Sequence, residues 1–427
     1  MKHIVDKEST LLVDGPASVS IISGKANVLG APFRVGEKVV VRQGKRLPLW
    51  VTAKASFDVL LGEGASLTEG EAGTLSSSWG DTAKAVLSLE KPVTVLVLGG
   101  LDSGKTSFCT FLVNEAVMKK HKTAVIDADL GQSDVGPPST VGFSFVDEPV
   151  KDLFDIDAED AVFVGTTSPN RAINRVTEAL TKLKKGAVED GAEFLVINTD
   201  GWVEGEEAVS YKKRLVSEAG ANAVVVMQQE NELSSILDAL HGVKVFVVDS
   251  PRQIHPRSRD TRKLLRELGY KKYLKKAKMQ SFSFSWLNVE DSFLGAGAPL
   301  SRKRFADLVN LLGKRPIYSK ETADLIFVVL SKSKAVSEKK LEAAEGFFKK
   351  RVKVIQEGEE EGLLVGLKDE KDKFRGIGVL YGVDYKRSLL KVYTPVSEAS
   401  TICFGQIKLD KNFREIGLST VLSNSLL

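Results

Sequence analysis

The sequence predicts an α/β protein: a central P-loop domain with a mostly parallel sheet, flanked along the chain by N-terminal and C-terminal β-rich domains. Three observations predict it. A Gly-rich loop, Gly99-Gly100-Leu101-Asp102-Ser103-Gly104-Lys105-Thr106, interrupts an apolar run that then resumes at helical spacing. Continuously apolar segments recur from Val93 onward with helical patterns between most of them, as buried parallel strands do. Alternating apolar and polar stretches, punctuated by Gly and Pro, occupy both ends.

Taken in order, a chain of 427 residues implies two or three domains, because single cores seldom grow beyond roughly 250 residues. Residues 1–85 read as a β-rich domain, with short strands such as "SVSII" and "KVVVR". The Gly-, Ser- and acid-rich stretch 62–81 reads as a loop or linker. Residues 86–278 hold the apolar runs "VTVLVL", "TAVID", "AVFVG", "FLVIN", "NAVVVM" and "VKVFVV", each expected as a buried strand of the doubly wound domain. An Arg-rich segment, 251–278, closes that domain. From 279 to 427 alternation returns in "SFSFSW", "DLIFVVL", "RGIGVLYGVD" and "SLLKVYTP", with helices expected near 301–313 and 337–350. No internal repeat is visible.

Composition narrows the classes. Hydrophobic residues make up 43% of the chain, yet none of its apolar runs reaches the ~18 residues that span a bilayer. The start, "MKHIVDKEST", lacks a signal-peptide core, so a cytoplasmic protein without membrane partners is expected. Two cysteines, Cys109 and Cys403, exclude a disulfide framework or a cysteine-based zinc site; Cys109 reads as a small packing residue. The net charge of +4 says less than its distribution. Pro251 to Lys278 carries eleven Lys or Arg against Asp260 and Glu267.

The glycine loop fits G-x-x-x-x-G-K-[ST] at every required place. Gly99 and Gly104 allow close backbone approach to phosphate oxygens, and the following helix points its positive end at them. Lys105 supplies a mobile charge for the β- and γ-phosphates, and the Thr106 hydroxyl suits Mg²⁺ or another divalent cation. Asp127 ends the "TAVID" strand, where such proteins place a metal-associated acid. Asp129 lies two residues on, at the sheet edge where ligands bind, with Gln132 in the same loop. Two carboxylates beside a metal triphosphate could divide two tasks, orienting metal-bound water and accepting a proton. Arg257, Arg262 and Arg266 are spaced by five and four residues, a pattern suited to a lid that covers a triphosphate. Trp202 reads as a core aromatic or a base-stacking platform, and "TTSPN" as a helix entry.

The motifs "GGLDSGKTS", "DADLGQ", "TTSPN", "NTDGWVEG" and "RSRDTRKLLREL" occur in the order found in the Clp1/Grc3/Nol9 polynucleotide 5′-hydroxyl kinases, which this chain resembles in detail over about 93–274. The resemblance implies a loop from Gly99 to Ser107 that binds ATP. It makes Lys105 and Thr106 the loop lysine and the metal ligand, and Asp129 and Gln132 the D-x-x-Q pair, with Asp129 the general base. It implies a clasp at Thr199, Gly201 and Trp202 whose threonine can engage Lys105, and lid arginines at Arg257, Arg262 and Arg266. Many relatives have Pro where Gly100 stands, a change expected to loosen the loop while keeping its donors.

The implied activity is transfer of the ATP γ-phosphate to the 5′-OH of single-stranded RNA or DNA. Lys105 and Arg262 would stabilise the moving phosphoryl, and basic residues would hold the strand. Protein partners and adenine contacts are not implied. Two rivals remain: an inactive ATP-binding scaffold of an RNA-processing complex, and a regulatory GTPase. Asn198-Thr199-Asp200 does not fit the guanine-reading motif the latter needs.

Overall fold

The computed structural model describes residues 1–70, 77–251, 256–332 and 335–422. The chain divides into two compact units, Met1–Gly269 and Tyr270–Leu427.

The first unit opens with seven antiparallel strands: β1 (Lys2–Val5), β2 (Thr10–Asp14), β3 (Ala17–Val28), β4 (Ala31–Phe33), β5 (Lys38–Val41), β6 (Arg46–Leu61) and β7 (Ser66–Gly70). They form one sheet in the order β4-β3-β6-β2-β7, with β1 on β6 and β5 on β3. The stretch expected as a linker therefore contains β7, which pairs with β2, and the start of helix α1 (Ser77–Leu87). β7 reads "SLTEG"; a polar edge strand offers no apolar alternation to detect. Residues 71–76 of that stretch lie outside the described residues, as do 252–255 of the expected Arg-rich segment.

The phosphate-loop sheet is built from β8 (Val93–Gly99), β9 (Thr123–Asp127), β10 (Thr140–Val146), β11 (Asp160–Phe163), β12 (Phe194–Asn198), β13 (Ala223–Gln228) and β14 (Lys244–Asp249), in the order β11-β10-β9-β12-β8-β13-β14. Its helices are α2 (Lys105–Met118), α3 (Ile173–Glu189), α4 (Glu206–Ala219), α5 (Ser234–Ala239) and α6 (Arg259–Tyr273). Strands β9, β12, β8, β13 and β14 run parallel. "AVFVG", expected among the parallel strands, is the antiparallel edge β11 paired with β10. No α-helix lies between β9 and β10 or between β10 and β11, and a parallel return needs a crossover of a dozen or more residues, usually helical.

Alternation within β8 divides the cores. Val95 and Val97 face a core shared with the N-terminal sheet, Trp79 and Phe108; Leu96 and Leu98 face a second one under α3 and α4. The N-terminal sheet is thus packed onto the phosphate-loop domain rather than tethered to it. Asn114 of α2 reinforces this by donating to Leu29 O (2.7 Å) and Val150 O (2.8 Å).

The second unit carries β15 (Lys278–Ser283), β16 (Asn288–Glu290), α7 (Arg302–Leu312), β17 (Tyr318–Glu321), β18 (Leu325–Leu330), α8 (Glu338–Phe348), β19 (Arg351–Gln356), β20 (Leu363–Lys368), β21 (Phe374–Asp384), β22 (Leu389–Thr394), β23 (Thr401–Leu409) and β24 (Glu415–Leu418). One sheet runs β15-β22-β21-β20-β23-β16 with β24 on β23, and a smaller one runs β17-β18-β19. Both expected helices are present, and they share a core with β18. No described helix is long and apolar enough to cross a membrane.

Candidate active site

The parallel register aligns Asn198 with Val97 of β8 and with Asp127 of β9, so β8, β9 and β12 end side by side. The glycine loop leaves β8 there. Gly104 takes φ 97° and caps α2 with no side-chain hydrogen bond, leaving the helix's first N–H groups to a ligand. A Cβ on Gly99 would lie 2.5 Å from Ser103 Oγ and 2.9 Å from the Met227 carbonyl oxygen on the next strand, so the position favours glycine. Gly100 is in no such position, and its nearest neighbour would be 3.9 Å away. A cavity of about 610 Å³ opens over this loop. Residues 101–107, Asp129, Gln132, Gly201, Arg257 and Arg262 line it on one side, and Asp14, Val41, Lys45 and Arg46 of the N-terminal sheet and its turns line the other.

Lys105 is buried and donates to Gly100 O at 2.6 Å. Burial holds its ammonium down to about 8, with buried Lys212 pushing the same way and Asp129 and Asp200 opposing. Asp129 is half-buried. Its Oδ1 accepts the N–H groups of Gly131 (3.0 Å) and Gln132 (2.9 Å), and no partner of Oδ2 occurs among the described residues. Burial, and then the Asp200 charge, raise its pKa above the ordinary aspartate value against the pull of Lys105. One oxygen is fixed and the other is available to take a proton. Gln132 joins this loop to α6 by donating to Arg262 O (3.1 Å), while its buried Oε1 and the buried Ser103 Oγ find no partner among the described residues. Orphaned buried polar atoms beside a cavity mark where a polar ligand belongs.

Asp127 is fully buried and accepts four N–H groups, from Asp129 (3.1 Å), Asp134 (2.7 Å), Val135 (3.3 Å) and the Asn198 amide (3.0 Å). Burial, with the charges of Asp129 and Asp134, raises it to about 7. That set occupies both oxygens, so Asp127 organises the strand ends, whereas half-buried Thr106 lines the cavity. Asn198 links the two, reaching Thr106 Oγ1 at 3.4 Å. A cation would therefore fit at Thr106, with Asp127 behind it; Mg²⁺ draws most of its other oxygens from phosphate and water.

The structure brings Arg257 and Arg262 to the loop. Asp102 accepts from the Arg257 N–H (2.9 Å) and from Arg262 Nη2 (2.7 Å), and Arg257 Nε donates to Gly44 O (2.9 Å). Arg266, one turn further along α6, is not among the residues lining the cavity. The clasp differs from expectation. Thr199 Oγ1 donates to Val97 O (2.7 Å) rather than to the loop, while Lys105 donates to Gly100 O. What meets the loop is Gly201, where a Cβ would lie 2.8 Å from Leu101 N. Trp202 stacks on Tyr211 at 5.6 Å and 28°, packed as a core aromatic. The Pro169 and Asn170 end of "TTSPN" forms, with Arg171, a short helical turn that leads into α3. Cys109 is buried in α2, as expected.

Sequence reasoning missed the charges beneath the site. Lys212 is completely buried and pairs with Asp200 Oδ1 at 2.9 Å, while Tyr211 donates to Asp200 Oδ2 at 3.0 Å. Arg42 of the N-terminal domain reaches Asp134 (3.0 Å) and Asp152 (2.7 Å), and Lys45 reaches Asp134 at 2.6 Å. Lys212 lies four residues after Ala208 and three before Leu215, and only this helical phase on the buried face of α4 could have marked it as buried.

A glycine loop between a parallel strand and an uncapped helix, with a buried acid on the neighbouring strands, defines a P-loop nucleotide-binding protein. Residues 99–276 match the family described as the P-loop of the mRNA cleavage and polyadenylation factor CLP1. A polyribonucleotide 5′-hydroxyl-kinase of Methanocaldococcus jannaschii is 28% identical over 77% of this chain and 90% of its own length. One from Thermococcus kodakarensis is 29% identical over 78% and 93%. The Clp1p chain of a wild-type Clp1p–Pcf11p complex superposes with a TM-score of 0.67 at 11% identity, covering 96% of this chain and 97% of its own, which establishes a shared fold.

Proposed function

We propose that this chain is an ATP-dependent polynucleotide 5′-hydroxyl kinase that moves the γ-phosphate of ATP to the 5′-OH of single-stranded RNA or DNA. The observation that carries the proposal is the pairing of Asp129 with the phosphate loop in one cavity, one carboxylate oxygen anchored and the other without a partner among the described residues. The kinase names of relatives that this chain matches over nine-tenths of their length support it.

In the proposed reaction the 5′-oxygen bonds to the γ-phosphorus as the bond to the β,γ-bridging oxygen breaks. The hydroxyl proton passes to Asp129 Oδ2. Lys105 and Arg262 hold the equatorial oxygens, where charge is densest during transfer. A divalent cation at Thr106, when bound, neutralises phosphate charge. The lysine, the acid and the arginines whose loss would make an inactive scaffold are all present. Asn198 and Asp200 are occupied by Asp127, Lys212 and Tyr211, which leaves no guanine reader there.

The test is incubation of the full chain with γ-labelled ATP and 5′-OH RNA and DNA oligonucleotides, with and without Mg²⁺. Label at the 5′ end that depends on Mg²⁺ is the expected result. ATP binding without labelling of either strand would return the protein to the scaffold class.

A further inference from the structure

The second unit has a cavity of its own, about 560 Å³, lined by Phe305, Tyr318, Arg315, Lys320 and Lys386 among others. Its cations are available. No carboxylate among the described residues pairs with the side chains of Arg315, Lys320 or Lys386. The Arg315 guanidinium stands 5.9 Å from the Phe305 ring centroid. Lys320 spends one N–H on Leu294 O (2.7 Å) and keeps two. Asp384, the acid nearest Lys386 in sequence, is engaged by the Lys386 and Arg387 backbone N–H groups (3.1 and 3.0 Å).

The same unit leaves one large aromatic uncovered. Trp286 is 90% exposed, in a turn closed by the Trp286 and Leu287 N–H groups on Ser283 O. Tryptophan is normally well buried, so full exposure leaves a large apolar face without cover. Two residues earlier, Phe284 meets Tyr318 edge-on at 6.2 Å and donates its N–H to Ser388 O. The Trp286 turn is thereby tied both to the cavity wall and to the turn that carries Lys386 and Arg387, both exposed.

We infer that this face of the C-terminal unit is a second binding site for single-stranded nucleic acid. A base stacks on Trp286, and backbone phosphates meet Arg315, Lys320 and Lys386. Exposed aromatics interleaved with unpaired cations are what strands recognised without sequence preference require, because every base has a π-face and every linkage a charge. The excess of cations favours a polyanion over an apolar protein segment. The inference rests on the kinase reading only in supplying a reason for a strand to be present.

The experiment uses the full chain and 5′-phosphorylated, fluorescently labelled RNA and DNA of about twelve nucleotides, without ATP. Trp286→Ala and Lys386→Glu alter exposed side chains, so both should keep the wild-type melting temperature. Each should weaken binding on the order of tenfold, the scale of one stacked base, and Lys386→Glu should also flatten the salt dependence. Oligonucleotides carrying 5-iodouridine should photocrosslink to the peptide containing Trp286. A stronger effect on RNA than on DNA, or the reverse, would tell which strand the site prefers. Unchanged affinity in both variants, or crosslinks confined to the first unit, would overturn the inference and leave the patch as a protein-docking surface. Transfer to a dinucleotide acceptor, too short to need this face, should be unaltered in both variants. Absence of that transfer in wild type would sink the kinase reading while the binding data stood.

Discussion

At the scale of single residues, the site is governed by what burial does to charge. Asp129 has one oxygen tied to two backbone N–H groups, so an asparagine there can keep the loop's shape through its own carbonyl while losing the ability to take a proton. Asp129→Asn should hold the ATP Kd near wild type and lower kcat by about 10²- to 10⁴-fold, the usual contribution of a positioned base. Normal turnover in that variant, measured in single-turnover assays, would show that another group takes the proton. Lys105 gives a pH signature. Its pKa is lowered to about 8 because the buried ammonium is poorly solvated, so the free protein loses the charge as pH rises through that value. Bound phosphates favour the charged form, so ATP binding should take up a proton above pH 8. The Kd for ATP should be flat from pH 6 to about 7.5 and weaken up to about tenfold per unit once above 8. Calorimetric titration across that range checks it, and Lys105→Arg, which does not titrate there, should abolish the bend.

Among the elements, the loop and α6 meet through one carboxylate, and that contact separates positioning from chemistry. Asp102 accepts from the Arg257 backbone and the Arg262 guanidinium, while Gln132 holds the Arg262 carbonyl from the other side. Arg262 is thus set in place before charge moves. Arg262→Ala should lower kcat on the order of 10³-fold with a small change in ATP Kd, and Arg262→Lys should restore little, because an ammonium lacks the planar fork. Asp102→Asn should cut kcat less, about tenfold, and leave ATP affinity equal or tighter, since it removes a negative charge from the phosphate site. A large loss of affinity at unchanged turnover in Arg262→Ala would make this arginine a ground-state clamp. These elements were legible in the sequence because each is short and local: a loop of fixed spacing, an acid at a strand end, arginines at helical intervals. The clasp was only partly so. Its glycine does touch the loop, but the direction of the Thr199 hydroxyl depends on the pairing of β12 with β8, which nothing within "NTDGW" encodes. Antiparallel β11 and the polar strand β7 escaped for similar reasons, since their pairing is decided by connection length and by neighbours far along the chain.

Over the first unit as a whole, ion pairs that join distant parts of the chain hold the N-terminal sheet over the site, and no motif announces them. Arg42 is largely buried, lies 3.7 Å over the Phe154 ring, and contacts Asp134 and Asp152, which are 92 and 110 residues away. The N-terminal turn with Lys45 and Gly44 forms one wall of the nucleotide cavity, so the same contact serves stability and binding. Arg42→Ala leaves Asp134 and Asp152 short of a partner in a buried place, a loss of about 3–5 kcal/mol. The variant should melt well below wild type and bind ATP more weakly, although no atom of Arg42 need touch the nucleotide. Acid should imitate it. The Asp134 carboxyl is drawn down to about 2 by Lys45 and Arg42 in spite of its burial, below the ~3.9 of an unfolded chain. A depressed carboxyl contributes stability in full above its unfolded pKa and loses it as pH falls through the folded value. Wild-type unfolding free energy should therefore decline between about pH 4 and pH 2, with a shallower decline in Arg42→Ala, where that pKa lies closer to its unfolded value. Denaturant titrations of both proteins at several pH values make the comparison. Equal slopes would mean that Asp134 draws its depression from Lys45 alone, and that Arg42 holds the sheet through Asp152 and Phe154.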